Sequence, residues 1–263
     1  MAEGSARVLL IGLVCCSALM AAVWAFSRSR RNAGWVDLAW TICVGGLALW
    51  IAASAQGWAP RRILVAALAG AWALRLGTHL ALRLRSEPED GRYARMRARF
   101  GERFDRNMFW FFQIQALVAV ALAVAFLVPC AAAQAGWRAS DALAVLLYVA
   151  ALGGEALADR QLAAWRREPA NRGRTCRSGL WRYSRHPNYF FEWLHWLAYP
   201  LLALGLPFGW VAWLPALLLL FLVLRVTGIP PTEEQALASR GEDYADYQRT
   251  TNAFFPGLPR AAR

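Results

Sequence analysis

The chain has 263 residues, of which 58% are hydrophobic and only 17% carry a charge. Soluble proteins devote about a quarter of their residues to Asp, Glu, Lys and Arg, so this composition excludes an ordinary soluble globular protein and indicates an integral membrane protein. The formal net charge is +12, and all 29 basic residues are arginine. The arginines cluster between apolar runs, so membrane topology accounts for them better than nucleic-acid binding does.

Cysteines and histidines form no recognisable ligand pattern. The five cysteines contain no C-x-x-C pair, and most lie inside or at the end of apolar runs. The histidines His79, His186 and His195 are far apart in the sequence. We therefore expect neither a disulfide framework nor a metal site.

Seven segments are apolar and long enough to cross a bilayer, which takes roughly 20 residues in a helix. They are Arg7–Phe26, Trp35–Ala55, Ile63–Leu82, Met108–Ala133, Ala142–Leu162, Tyr189–Leu206 and Trp210–Val226. The chain contains no internal repeat and no low-complexity linker. The pattern therefore predicts an all-α polytopic membrane protein that forms one domain over residues 1–263.

Arginine placement predicts the orientation of these spans. The segments 28–31, 83–106, 160–185 and 240–263, which follow spans one, three, five and seven, hold most of the arginines. The ends on the other side have only a few. The positive-inside rule then places the N-terminus outside and the C-terminus in the cytoplasm.

Ionisable residues also occur inside the predicted spans, where a bilayer makes them costly and they usually have a function or a partner. Asp37 lies three residues into span two, and Arg75, His79 and Arg83 follow one another at one-turn intervals along span three. Together they predict a polar substrate cavity formed mainly by spans two to four. The alternatives are that Arg83 extends to the interface, that His79 only packs, and that Asp37 only caps its helix.

The segment before span six is unusually rich in arginine. Eight arginines lie between residues 160 and 185, more than positive-inside topology alone requires, and guanidinium groups suit phosphates. The chain has no glycine-rich nucleotide motif that follows a strand and no P-loop. The cofactor-binding part is therefore predicted over about residues 155–263, on a scaffold unlike the soluble nucleotide-binding folds.

The sequence Arg177-Ser-Gly-Leu-Trp-Arg-Tyr-Ser-Arg-His-Pro-Asn-Tyr-Phe-Phe-Glu192 resembles the C-terminal signature of the membrane steroid 5-alpha-reductase family. Its bacterial branch is the most similar. The resemblance extends to Asp37-Leu-Ala-Trp40 and Glu89-Asp-Gly-Arg-Tyr93. It implies a seven-span protein of the bacterial inner membrane that uses NADPH to reduce an activated carbon–carbon double bond. The implied substrate is a lipophilic enone, steroid-like or another lipid, that enters from the membrane.

The same resemblance implies roles for individual residues. Asp37 would lie near the substrate carbonyl, and the candidate proton donor is His79 or a tyrosine such as Tyr148, because Leu80 stands where the family pattern has a tyrosine. A larger set would bind the cofactor. It comprises Asp159, Arg166, Arg174, Arg177, Asn188, Tyr189, Glu192 and Glu234.

A second resemblance competes with the first. Arg185-His-Pro-Asn-Tyr189, taken with Glu233 and Glu234, is similar to the membrane isoprenylcysteine and phospholipid methyltransferases, which use S-adenosylmethionine. That resemblance implies His186, Glu233 and Glu234 as the sensitive residues. The span count and the arginine-rich segment favour the reductase, since S-adenosylmethionine is cationic and has no phosphate. A non-enzymatic membrane scaffold is the third possibility.

The predicted orientation has a direct test. Reporter fusions after Ser140 and at Arg263 should lie on opposite sides of the membrane, because an odd number of spans separates them in the seven-span interpretation. The measurement is the activity of a reporter that works only in the cytoplasm or only outside it. Fusions on the same side would contradict the seven-span interpretation.

Overall fold

The computed structural model describes residues 2–260, and the side chains of residues 4–260. The ends of the predicted 1–263 domain and the fusion site Arg263 lie outside the described residues. Within them the chain is 80% helical and has no strand. Eleven α-helices occur in this part: α1 Ala2–Arg30, α2 Trp35–Ser54, α3 Ala59–Ser86, α4 Gly91–Phe100, α5 Phe104–Ala131, α6 Ala139–Arg167, α7 Pro187–Trp196, α8 Ala198–Leu202, α9 Trp213–Arg225, α10 Ile229–Arg240 and α11 Glu242–Thr250.

Six helical stretches in the described part are long and apolar enough to cross a membrane. They are Gly4–Arg30, Trp35–Ser54, Ala59–Ser86, Gly91–Ala131, Ala139–Arg167 and Gly209–Arg240. Six of the seven predicted spans fall on these stretches. The prediction of an all-α, multi-pass integral membrane protein is confirmed, and the exposed apolar faces of these helices are surfaces for membrane lipid.

The remaining predicted span, Tyr189–Leu206, is instead divided into the short helices α7 and α8. The break falls at Leu197, three residues before Pro200. Proline has no N–H to donate to the carbonyl four residues earlier, here that of Trp196, so it disfavours a continuous helix at this point. The two pieces together cover 187–202, or about 24 Å at 1.5 Å per residue.

The chain forms two compact units. One contains α1 to α5 and the segment Leu202–Pro215, and the other contains Arg138–Leu201 and the chain from Ala216 onward. Asp37 and His79 lie in the first unit. All eight predicted cofactor-binding residues lie in the second.

Helix α2 is the core of the first unit. It packs on α1, α3 and α5, and it is apolar on most sides, as a helix surrounded by others must be. Val36, Val44 and Ala48 are fully buried. Helix α3 comes very close at Gly45, where a Cβ would lie 2.6 Å from the Cβ of Ala73. Small residues at such contacts let membrane helices pack by van der Waals forces.

A buried arginine holds the turn between α2 and α3 to the end of α5. The side chain of Arg61 has no exposed surface. Its two terminal nitrogens each donate at 3.0 Å, one to the carbonyl of Gln134 and the other to that of Gly136. The guanidinium also lies 5.3 Å from the centre of the Trp58 ring. Arg61 therefore satisfies carbonyls that follow a helix C-terminus, where cations are favoured.

Replacing this arginine should destabilise the protein strongly. Arg61→Met leaves buried carbonyls without a donor, so we expect a loss of about 2–5 kcal/mol. Thermal unfolding of the purified protein in detergent measures it. Arg7→Met is the control, because Arg7 is exposed and exposed changes usually cost no more than about 0.5 kcal/mol. Equal unfolding temperatures for the two variants would contradict a stabilising role for Arg61.

Candidate functional site

In the first unit, Asp37 lies in the first turn of α2 and is held by residues of α4. Its carboxylate accepts a hydrogen bond of 2.8 Å from the hydroxyl of Tyr93 and one of 3.3 Å from Arg92. Tyr93 is buried, with 3% of its surface exposed. Gly34, not Asp37, stands at the N-cap of α2. The carboxylate is therefore positioned by a phenol and a guanidinium that sequence reasoning did not assign to it.

Asp90 joins this group to α3. It accepts from the backbone N–H and the guanidinium of Arg92, at 2.9 and 3.1 Å, and pairs with Arg83 at 3.3 Å. Burial alone would raise the pKa of Asp90, but the charges and hydrogen bonds of Arg92 and Arg83 lower it below its usual value. His79 lies one turn before Arg83 on α3, with an exposed side chain.

In the second unit, the carboxylate of Glu233, on α10, accepts hydrogen bonds from several side chains of other segments. One carboxylate oxygen accepts from Arg185 at 2.6 Å and from the His186 Nε2 at 3.1 Å. The other accepts from the Gln248 side chain at 2.8 Å. Glu234, the next residue and a predicted cofactor ligand, is exposed. The inward carboxylate of the Glu-Glu pair is thus Glu233.

His186 is neutral in this arrangement. Burial lowers its pKa, and the hydrogen bond and charge of Glu233 oppose that shift only in part. A neutral ring that donates from Nε2 to Glu233 has Nδ1 as its acceptor nitrogen. The ring is stacked on Tyr189, with centroids 5.3 Å apart.

Helix α11 binds the segment that precedes α7. The guanidinium of Arg177 donates to the carboxylates of Asp246 at 2.6 Å and Asp243 at 3.2 Å. The Tyr247 hydroxyl donates to the carbonyls of Ser184, at 3.1 Å, and Trp181. Arg177, a predicted cofactor ligand, is therefore already paired. The only signal for these contacts in the sequence is the two aspartates in Glu242-Asp-Tyr-Ala-Asp-Tyr247.

Three other predicted cofactor residues lie on α7. The side-chain amide of Asn188 makes a long hydrogen bond of 3.5 Å to Asp159 on α6. The Tyr189 hydroxyl lies 3.2 Å from that of Thr232. Glu192 is 3.8 Å from the buried His195 ring. The structure therefore brings Asp159 and Asn188 together and places Glu192 one turn further along α7.

The predicted ligands Arg166 and Arg174 are exposed. They belong to a larger set of arginines in segment 160–185 that have no carboxylate within 4.0 Å among residues 4–260. The set is Arg160, Arg166, Arg167, Arg172, Arg174 and Arg182. Of the eight arginines in this segment, only Arg177 and Arg185 form ion pairs with residues that the structure describes. Within the same described part, no three His, Cys, Asp or Glu side chains could hold a metal ion.

The lowered pKa of His186 predicts a pH dependence of stability. The unfolded chain binds this proton more tightly, near the ordinary value of 6.5, so stability is full above that pH and falls as the pH drops below it. The His186→Asn variant does not lose stability in this way, because asparagine does not titrate. The difference in unfolding temperature between wild type and variant should therefore become smaller as the pH is lowered from about 7.5 to about 5.5. A difference that stays constant over this pH range would refute the assignment.

The family relationship of the chain follows from comparison with known proteins. Residues 23–251 match the family described as a protein of unknown function, DUF1295. No curated protein and no solved structure matches the chain. The matched region contains every candidate residue named above, from Asp37 to Gln248. Since the match covers most of the sequence, the chain belongs to the DUF1295 family.

Proposed function

We propose that the protein is an NADPH-dependent reductase of an activated carbon–carbon double bond in a lipophilic enone, a steroid or another lipid. We also propose that it lies in the bacterial inner membrane with its arginine-rich segments in the cytoplasm. The observation that carries the proposal is the surplus of arginines in segment 160–185, six of which lack a carboxylate partner among the described residues.

A multiply charged anion would offset this surplus. Arg166, at the end of α6, is close enough to Arg240, at the end of α10, for the two charges to repel each other. Arg240 is stacked 5.1 Å from the centre of the Tyr244 ring, which fixes its guanidinium. Two guanidinium groups that repel each other suit the phosphates of NADPH, because phosphate oxygens accept charge-assisted hydrogen bonds from both. Arg174 would extend the same set.

The start of α7 suits the nicotinamide end of the cofactor. The carbonyl oxygen of the Asn188 side chain accepts from the Tyr189 N–H at 3.0 Å, which fixes the amide plane. Within the described part of the chain, its NH2 group makes only the long contact to Asp159, so it has a donor to offer to a carboxamide. Glu192 lies one turn further along the same helix. When bound, NADPH supplies the hydride, and these residues bind and orient it.

Arg177 has a different part in this proposal, because both ends of its guanidinium are engaged with Asp243 and Asp246. It positions the segment before α7 rather than meeting a phosphate. The same holds for Arg185, which donates to Glu233 and to the carbonyl of Gln248.

In the first unit, Asp37 and Tyr93 are the residues that would stabilise the substrate during reduction of an enone. Negative charge develops on the carbonyl oxygen of the substrate, and a fixed donor stabilises it. The Tyr93 hydroxyl donates its one hydrogen to Asp37 at 2.8 Å, and it becomes the donor to the substrate when that hydrogen turns from Asp37 to the carbonyl oxygen. It provides the phenol that Leu80 cannot provide. His79, exposed on α3, remains the second candidate for the proton donor.

One observation favours a second candidate function, an S-adenosylmethionine-dependent methyltransferase of the isoprenylcysteine or phospholipid type. The Arg-His-Pro segment does meet the Glu-Glu helix, through Arg185, His186 and Glu233. Under this alternative, carboxylates bind a cationic cofactor. The unpaired arginines, however, would then face a ligand with a single carboxylate and no phosphate.

Calorimetry of the purified protein with NADPH and with S-adenosylmethionine separates the two functions. We expect saturable binding of NADPH. Arg166→Ala should weaken it by about 1.5–3 kcal/mol, the value of a charge-assisted hydrogen bond. Arg7→Ala, which removes the same charge elsewhere, should leave the affinity unchanged. Asn188→Ala should impair hydride transfer more than affinity, because the arginines would still hold the phosphates.

Two results would overturn the proposal. Saturable S-adenosylmethionine binding without an NADPH signal would favour the methyltransferase, and the sensitive residues should then be His186, Glu233 and Glu234. Unchanged NADPH affinity in a folded Arg166→Ala variant would show that the arginine surplus is not the phosphate site.

A further inference from the structure

The first unit contains a cavity of about 360 Å³ at the arginine-rich ends of α1 and α5, beside α4. Its charged and aromatic lining consists of Trp24, Arg28, Arg31, Arg97, Phe104 and Asp105. Arg28 is paired with Asp105, and Arg97 is paired with Glu89 at 2.9 Å, outside the lining. The positive charge in excess is therefore that of Arg31.

Two of the three guanidinium groups are held in place. Arg28 lies 5.0 Å from the centre of the Trp24 ring and donates to Asp105 at 2.8 Å. Arg97 lies 4.1 Å from the centre of the Phe104 ring. Stacking on an aromatic face restricts a guanidinium but leaves N–H donors at its edge. These two groups are thus prearranged around the cavity.

Arg31 is the third, and it differs from the other two. It follows the last residue of α1, is exposed, and has a φ of 49°, a left-handed conformation that non-glycine residues seldom adopt. No carboxylate among residues 4–260 pairs with it. The Arg31 guanidinium therefore lines the cavity, and none of these carboxylates offsets its positive charge.

The face of α1 that carries Arg28 is apolar and exposed further along the helix. Leu10 and Val14 of α1 are 64% and 62% exposed, and at 100° per residue they lie within about 40° of Arg28. Such residues in spanning helices face lipid tails. A ligand with a negative head and a long apolar tail matches both features, whereas a free anion matches only the first.

We propose that this cavity binds the phosphodiester headgroup of an anionic phospholipid, with the acyl chains along α1. Arg31 contributes the charge that discriminates an anionic headgroup from a zwitterionic one, since a choline would meet the same positive charge. Arg28 and Arg97 are paired with Asp105 and Glu89 and shape the cavity beside it. The site is distinct from the proposed reductase residues and does not depend on that function.

Native mass spectrometry of the detergent-purified protein tests the proposal. The probes are phosphatidylglycerol, phosphatidylcholine of the same chain length, and glycerol 3-phosphate. The wild type should retain phosphatidylglycerol in preference to the other two. Arg31→Gln should lower this retention about tenfold, the factor of one charge-assisted hydrogen bond. Arg31→Lys, which keeps the charge, should restore part of it.

Arg30→Gln is the matched control. Arg30 is the preceding arginine, stacks on Phe26 and does not line the cavity. The Arg30→Gln variant removes the same charge. An equal loss of phosphatidylglycerol retention in Arg30→Gln and Arg31→Gln would therefore show a general surface attraction and overturn the proposed site. Equal retention of both phospholipids would overturn it too. Tighter binding of glycerol 3-phosphate than of phosphatidylglycerol would mean a site for a soluble phosphate. Unfolding temperatures within a few degrees of wild type confirm that the exposed substitutions leave the fold intact.

Discussion

The second unit depends on the carboxylate of Glu233. Three chain segments meet at it, because it accepts from Arg185 and His186 before α7 and from Gln248 on α11, while it belongs to α10 itself. The side chains of Arg185 and Glu233 are only 10% and 13% exposed, so each charge carries a desolvation cost that their mutual hydrogen bonds offset. Removal of the Glu233 side chain would leave the Arg185 charge without its carboxylate partner. The geometry of the segment that leads into α7 therefore follows from this one interaction.

Arginines of this protein divide into two classes by their partners. Arg61, Arg177 and Arg185 are saturated by carbonyls or carboxylates and hold loops to helices. Arg166 and Arg174 are exposed and have no carboxylate within 4.0 Å among the described residues. The distinction matters for function, since a guanidinium that is already paired contributes little to binding a phosphate. It also explains why a chain with one kind of basic residue can use it both for structure and for recognition.

Asp37 shows how one carboxylate can be both restrained and useful. Tyr93 and Arg92 fix its two oxygens, and Asp90 in turn orients Arg92. A carboxylate in a fixed hydrogen-bonded position orients its donors without the reorganisation that water would need. The phenol of Tyr93 is thus held by a network that links α2, α3 and α4, rather than by one neighbour. The lipid-headgroup cavity lies in this same unit but uses other arginines, so the two sites can be altered separately by substitution.

Composition and the lengths of the apolar runs determined the helical membrane fold by themselves, because a bilayer forces the backbone of each long apolar run to satisfy its own hydrogen bonds. Local sequence also contained the break at Leu197, since Pro200 lacks the required N–H, although span length alone did not predict it. The partners of the charged side chains were decided only by tertiary structure. Glu233 meets residues 48 and 47 positions earlier, Tyr93 meets Asp37 across 56 positions, and no local pattern encodes such a distance. Which arginines remain available for a ligand depends on these long-range pairings, because a carboxylate must first be brought within reach.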